Sequence, residues 1–144
     1  MRRLAALIGV IAAALTGCGE IPRDPSATLE QIIERGDLRA GSSPSSVTPA
    51  ETDLVEGFAD SLDVDVVWTE GGESELVAAM ERGELDVLIG GLRADSPWTE
   101  RISLTRAYGS EVVHGEPVER VLAVPRGENA LLVTLERYLD GRER

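Results

Sequence analysis

The chain has 144 residues, 42% hydrophobic and 28% charged, which suits one globular core and is too apolar for wholesale disorder. Its 14 basic residues, all arginine, face 26 acidic ones, and the formal net charge of -12 argues against nucleic acid or anionic membrane surfaces as partners. One cysteine excludes an internal disulfide, and one histidine beside it leaves the usual nucleophile and base pairs impossible to assemble.

At the N-terminus, Met1-Arg2-Arg3 is a charged start and Leu4 to Leu15 an apolar run too short to span a bilayer comfortably. Leu15-Thr16-Gly17-Cys18 then follows where a cleavage site belongs. These four residues resemble the bacterial lipobox, against the plainer readings of an ordinary signal peptide with a chance cysteine or an anchor helix. The resemblance implies removal of residues 1–17, lipidation of Cys18 (palmitate being one such acyl group) and anchorage on the extracytoplasmic side of a bacterial membrane. Gly19 after the cysteine implies the periplasmic face of the outer membrane in a Gram-negative cell. Loss of residues 1–17 removes two arginines and no acid, leaving 26 acids against 12 arginines, or -14. Residues 18–26, with two prolines and no periodicity, read as a tether, and 27–144 as a single domain.

Thr28-Leu29-Glu30-Gln31 fits a capping box with Thr28 as N-cap, Leu29, Ile32 and Ile33 give the helix an apolar face, and Gly36 ends it. Asp37 to Gly41 is a short strand, and residues 42–50 a hydroxyl-rich loop. Leu54, Val55, Phe58, Ala59 and Leu62 define a second helix, whose Glu56 and Asp60 read as a solvated face rather than a metal or acid–base pair. Asp63 to Trp68 alternates as a strand with its two aspartates on one face, and Glu73 to Arg82 is a helix presenting Leu76, Val77 and Met80. Leu85 to Ile89 is a buried strand that stops on Gly90-Gly91, where a polar loop leads to Ser96-Pro97. Three alternations of helix and strand predict an α/β fold, a three-layer sandwich with a mainly parallel sheet. Its ligand site is expected at the carboxyl ends of the strands. Ile102 to Tyr108 is extended, and Gly109 to Pro117 loop-like with His114 at the surface. Val118 to Val124 is a strand and Glu128 to Leu139 a final helix, with Glu128 and Arg137 suited to its dipole.

No Gly-x-Ser-x-Gly elbow, phosphate loop or metal spacing of His and Cys is present; the residue types leave an aspartate/glutamate glycosidase open, but no pair is specially placed for one, and neither enzyme activity nor a cofactor is predicted. The order of parts resembles a bacterial family 3 extracellular solute-binding protein, the type II periplasmic binding fold found beside ABC importers. Thr28 to Gly41, Asp53 to Leu62, Glu75 to Leu92, Ser96 to Arg101 and Thr105 to Tyr108 carry the match, and Val121 to Leu139 resembles the family's last strand and helix. Family members insert a second lobe after the Tyr108 region. Here only a dozen residues separate Tyr108 from Val121, which implies a single lobe with a site open to water and low intrinsic affinity.

The resemblance places ligand contacts at Ser42, Ser43, Gly90 and Gly91. The family's arginine clamp falls at Trp98, with Arg93 and Arg101 as nearby alternatives. Arg93 either meets an anionic group or pairs with Asp95, and Trp98 either stacks on a ligand or caps the core. The implied function is substrate binding for an ABC-type transport system. The ligand would be an amino acid, organic anion or other small polar solute, delivered to a permease. The alternative is an interaction or sensor lipoprotein that uses the open shelf on a protein partner.

Overall fold

The computed structural model describes residues 24–142; the lipobox, Cys18 and the tether up to residue 23 lie outside the described residues. The elements are α1 (Thr28–Arg35), β1 (Asp37–Ser42), α2 (Pro49–Ser61), β2 (Asp65–Glu70), α3 (Glu73–Glu81), β3 (Val87–Ile89), β4 (Ile102–Leu104), β5 (Gly109–Val113), β6 (Glu116–Arg120), β7 (Ala123–Pro125) and α4 (Asn129–Arg142). A single 3-10 turn, Pro97–Glu100, precedes β4.

The five-stranded sheet runs β2-β1-β3-β7-β4. β1 is parallel to both β2 and β3, and β7 is antiparallel to its neighbours β3 and β4. Helices cover both faces, as the alternation of helix and strand requires. Val87 and Ile89 point to the side where Ile32 of α1, Phe58 of α2 and Leu131 and Leu135 of α4 are buried. Leu88, between them, points to the other side, onto Leu76, Val77 and Met80 of α3. The three-layer α/β expectation is met.

Several local expectations are corrected. Thr28 is the first helical residue of α1, not its N-cap: Ala27 takes that position at φ 49 with no side-chain cap of its own. The cap comes from Glu128, whose carboxylate accepts Ser26 N–H at 2.8 Å and Thr28 N–H at 2.9 Å. Glu128 therefore sits just before α4 but serves α1. α4 is capped from the far end of the chain, where the Asp24 carboxylate accepts Ala130 N–H at 2.5 Å. The last residues of the tether are thus fastened to the lobe.

α2 begins at Pro49, earlier than its apolar periodicity indicates, because Thr48 and Glu51 form a capping box with proline in the first turn. β2 begins at Asp65 rather than Asp63, since Leu62, Asp63 and Val64 donate back to Ala59 and Asp60 carbonyls to close α2. Residues 109–117 are not a loop. They form the hairpin β5–β6, paired from Gly109↔Arg120 to Val113↔Glu116. His114 and Gly115 make its turn, both at positive φ (52 and 86). The strand expected over Val118 to Val124 is split between this hairpin and β7.

At the amino ends of the strands, Asp86 is fully buried and accepts from Arg35 at 2.7 Å and from Arg39 Nη2 and N–H at 2.7 and 2.9 Å. This buried carboxylate holds α1, β1 and the start of β3 in one register.

Candidate functional site

The carboxyl ends of β1 and β3 converge on Gly90 and Gly91. Gly90 has φ 126, and a Cβ there would come within 2.9 Å of the Ser43 Cβ, so only glycine admits the close approach of the two strand ends. Ser42 and Ser43 are both buried at this junction, and Ser43 N–H donates to the Ile89 carbonyl at 3.4 Å. The loop after Ser43 turns back over Gly91, whose Cβ would meet Ser46 at 3.2 Å.

Glu51 organises the cleft beside Gly91. Its side chain reaches in from the first turn of α2, with only 1% of the residue exposed. Oε1 accepts Gly91 N–H at 3.0 Å and the Tyr108 hydroxyl at 2.8 Å. Oε2 accepts Thr48 N–H at 2.9 Å and the Thr48 hydroxyl at 3.2 Å. Burial, and then the bond to Glu51, push the Tyr108 phenol well above its ordinary value, so it stays a neutral donor. Arg120, the last residue of β6, donates from Nη1 to the Gly91 carbonyl at 2.6 Å and from Nε and Nη2 to Glu111 Oε2 at 3.1 and 2.5 Å. The remaining hollow, about 160 Å³, is lined by Ser46, Thr48, Gly91, Tyr108, Ser110 and Glu111 among others. It admits the end group of a small molecule rather than a whole drug-sized ligand.

Ser42, Ser43, Gly90 and Gly91 are thus brought together. Arg93 lies on the other side of Gly91, on a second hollow of about 250 Å³ shared with Glu73, Asp95 and Ser96. Its guanidinium pairs with Asp95 at 2.8 Å, which holds the Asp95 carboxyl below its ordinary value. Trp98 is further off. Its indole packs on the α3 side of the core, Nε1 donates to Glu73, and the Arg101 guanidinium lies 5.2 Å over the ring.

Arg101 does not join the others. It pairs with Glu81 of α3 and lines a hollow of about 390 Å³ at the amino ends of the parallel strands. That hollow is larger than the Gly91 cleft, but its Arg39 is engaged by Asp86, its Arg101 by Glu81, and its Glu128 by α1.

The sequence reading missed Glu51, Tyr108, Glu111 and Arg120. Thr48-Pro49-Ala50-Glu51 carries the capping-box pattern that would have drawn attention to Glu51. Tyr108 and Arg120 come from 57 and 69 positions beyond it, and no local pattern joins them. Among the described residues, no cluster of three His, Cys, Asp or Glu side chains suits a metal ion, and no helix is long and apolar enough to cross a membrane.

No protein-family model matches the chain. Domain 1 of TmArgBP, in an arginine-bound form, superposes with a TM-score of 0.69 at 20% identity, covering 77% of this chain and 97% of that one. An amino acid ABC transporter substrate-binding protein from Streptococcus pneumoniae, bound to L-arginine, gives a TM-score of 0.70 at 9% identity over 80% and 91%. The ancestral cationic amino acid solute-binding protein AncCDT-1 gives 0.72 at 13% over 81% and 93%. The fold is that of a single lobe of a type II periplasmic binding protein, as the resemblance implies. By sequence, the chain is 32% identical over 95 residues to membrane-bound lytic murein transglycosylase F of Vibrio cholerae. The match covers 59% of this chain and 18% of that protein. The chain thus spans under a fifth of the length of this curated relative.

Proposed function

We propose that the chain is a lipid-anchored, extracytoplasmic solute-binding lobe, held to the membrane through Cys18. It takes a small polar solute at the carboxyl ends of β1 and β3 and presents it to an ABC-type permease without acting on it chemically. The observation that carries this reading is the fold match to domain 1 of TmArgBP in an arginine-bound form. In this chain Ser43 and Gly91 would contact the solute, and Arg93, on the adjoining hollow, would exchange Asp95 for a solute carboxylate. The hollow is small, about 160 Å³, so much of a bound solute stays in water and the dissociation constant is expected in roughly the millimolar range.

Thermal unfolding of the mature chain with a panel of amino acids and organic acids, L-arginine included, tests the proposal. A saturable rise in midpoint, weakened in Arg93→Ala, is the expected result. No stabilisation by any panel member at 20-fold the highest expected dissociation constant, about 20 mM, would remove the solute-binding reading.

A second reading rests on the sequence match to membrane-bound murein enzymes and on the exposed hairpin, where Val112 is 71% exposed. In it the lobe binds a protein partner at the cell wall. Light scattering and crosslinking in membranes separate the two: a monomer that crosslinks to nothing counts against the partner.

A further inference from the structure

The peptide groups of Gly91 are already engaged by charged side chains of the same chain. Its N–H meets a carboxylate, Glu51, and its carbonyl meets a guanidinium, Arg120. The two are held very differently. Glu51 is buried and satisfied by four donors, so a ligand anion would have to evict a carboxylate that then has nowhere to go. Arg120 is held at the hairpin wall of the cleft, its side chain 20% exposed, by one carbonyl and by Glu111, whose side chain is 59% exposed. Exchange of its guanidinium for an external cation would leave the charge of the cleft unchanged.

We propose that the Gly91 cleft is a cation site for a guanidinium or primary ammonium group, and that Arg120 is its internal occupant, filling the site from the hairpin until a ligand cation replaces it. The Gly91 carbonyl and the Glu111 carboxylate are the acceptors, and Glu51 bars anions from the same place. The net charge of -12 favours approach of a cation over an anion. The inference rests on the solute-binding reading for its biological setting and supplies the chemical class of the solute. The site itself is testable without that setting.

Agmatine, which has a guanidinium and no carboxylate, is the probe, with glutarate as an anion of similar length. Thermal unfolding is measured for the wild-type chain, Arg120→Ala and Arg120→Gln, the last keeping more of the packing in case the alanine variant does not fold. At about 10 mM, agmatine is expected to raise the midpoint of the folded Arg120 variants by roughly 3 °C and that of the wild type by about 1 °C or less. Addition of Glu111→Gln is expected to abolish the gain, and glutarate to give none. The proposal is overturned by an equal agmatine shift in wild type and variant, by no shift in a folded Arg120 variant, or by a shift with glutarate. An agmatine shift confined to the Arg120 variants, with no member of the amino-acid panel binding wild type, would sink the transport reading and leave the cation site standing.

Discussion

Glu51 joins α2, the Gly91 turn and the Tyr108 segment through one carboxylate. Truncation leaves Gly91 N–H, Thr48 N–H and the Tyr108 hydroxyl without their acceptor. Glu51→Ala is therefore expected to lower unfolding stability by about 3 kcal/mol, read from urea titration. Glu51→Gln is expected to cost less, since one amide oxygen still accepts. An unchanged urea midpoint for the alanine variant would show that these bonds exchange freely with water. Tyr108 gives a second test. Its pKa is raised in the folded state from 10.0, so its contribution is complete below the unfolded value and is lost as pH climbs through 10.0 toward the folded one. Urea midpoints of the wild type should fall over this alkaline window by more than those of Tyr108→Phe. Parallel curves would mean the phenol is not shielded. Of these residues only Glu51 carries a local sequence signal, its capping-box spacing from Thr48. The hydroxyl-rich run of residues 42–50 reads as loop, although Pro49 stands in the first turn, where a helix accepts proline.

α1 and α4 exchange their N-caps. Glu128 precedes α4 and caps α1, while Asp24 precedes α1 and caps α4. Removing either carboxylate frees N–H groups at a helix start, and Glu128→Ala or Asp24→Ala is expected to cost about 1–2 kcal/mol. Amide exchange assigns the cause: Glu128→Ala should speed exchange at Ser26 and Thr28, and Asp24→Ala at Ala130. Faster exchange at the neighbouring helix alone would contradict the crossed arrangement. Helix cores were legible because buried residues recur at helical spacing within one element, as Val55, Phe58 and Ala59 do in α2 and Leu131, Leu135 and Leu139 in α4. The crossed caps were not, because the Thr28 to Glu128 bond spans 100 positions. The β5–β6 hairpin was missed for a different reason. Among the alternating positions of the hairpin only Val118 is buried, and His114-Gly115 is not the usual Asn-Gly pair of such a turn.

The whole molecule carries a net charge of -12 on a small lobe, and its exposed ion pairs, such as Arg82–Glu84 and Arg93–Asp95, each add little. Self-repulsion among the acids should then dominate the response to salt. Raising sodium chloride from about 20 to 150 mM is expected to raise the melting midpoint by about 1–3 °C. A fall would show that attractive pairs outweigh repulsion. The hairpin has a consequence at this scale too. β5 leaves the lobe and β6 returns to it side by side, with Tyr108 N–H on the Arg120 carbonyl at 3.0 Å and Thr105 N–H on the Leu122 carbonyl at 2.9 Å closing the sheet beneath them. A sequence of any length spliced at the His114–Gly115 turn would depart and rejoin at one point without parting the core. The turn is thus the place where an inserted sequence would least disturb the lobe, with Arg120 at the base of the two strands that would carry it.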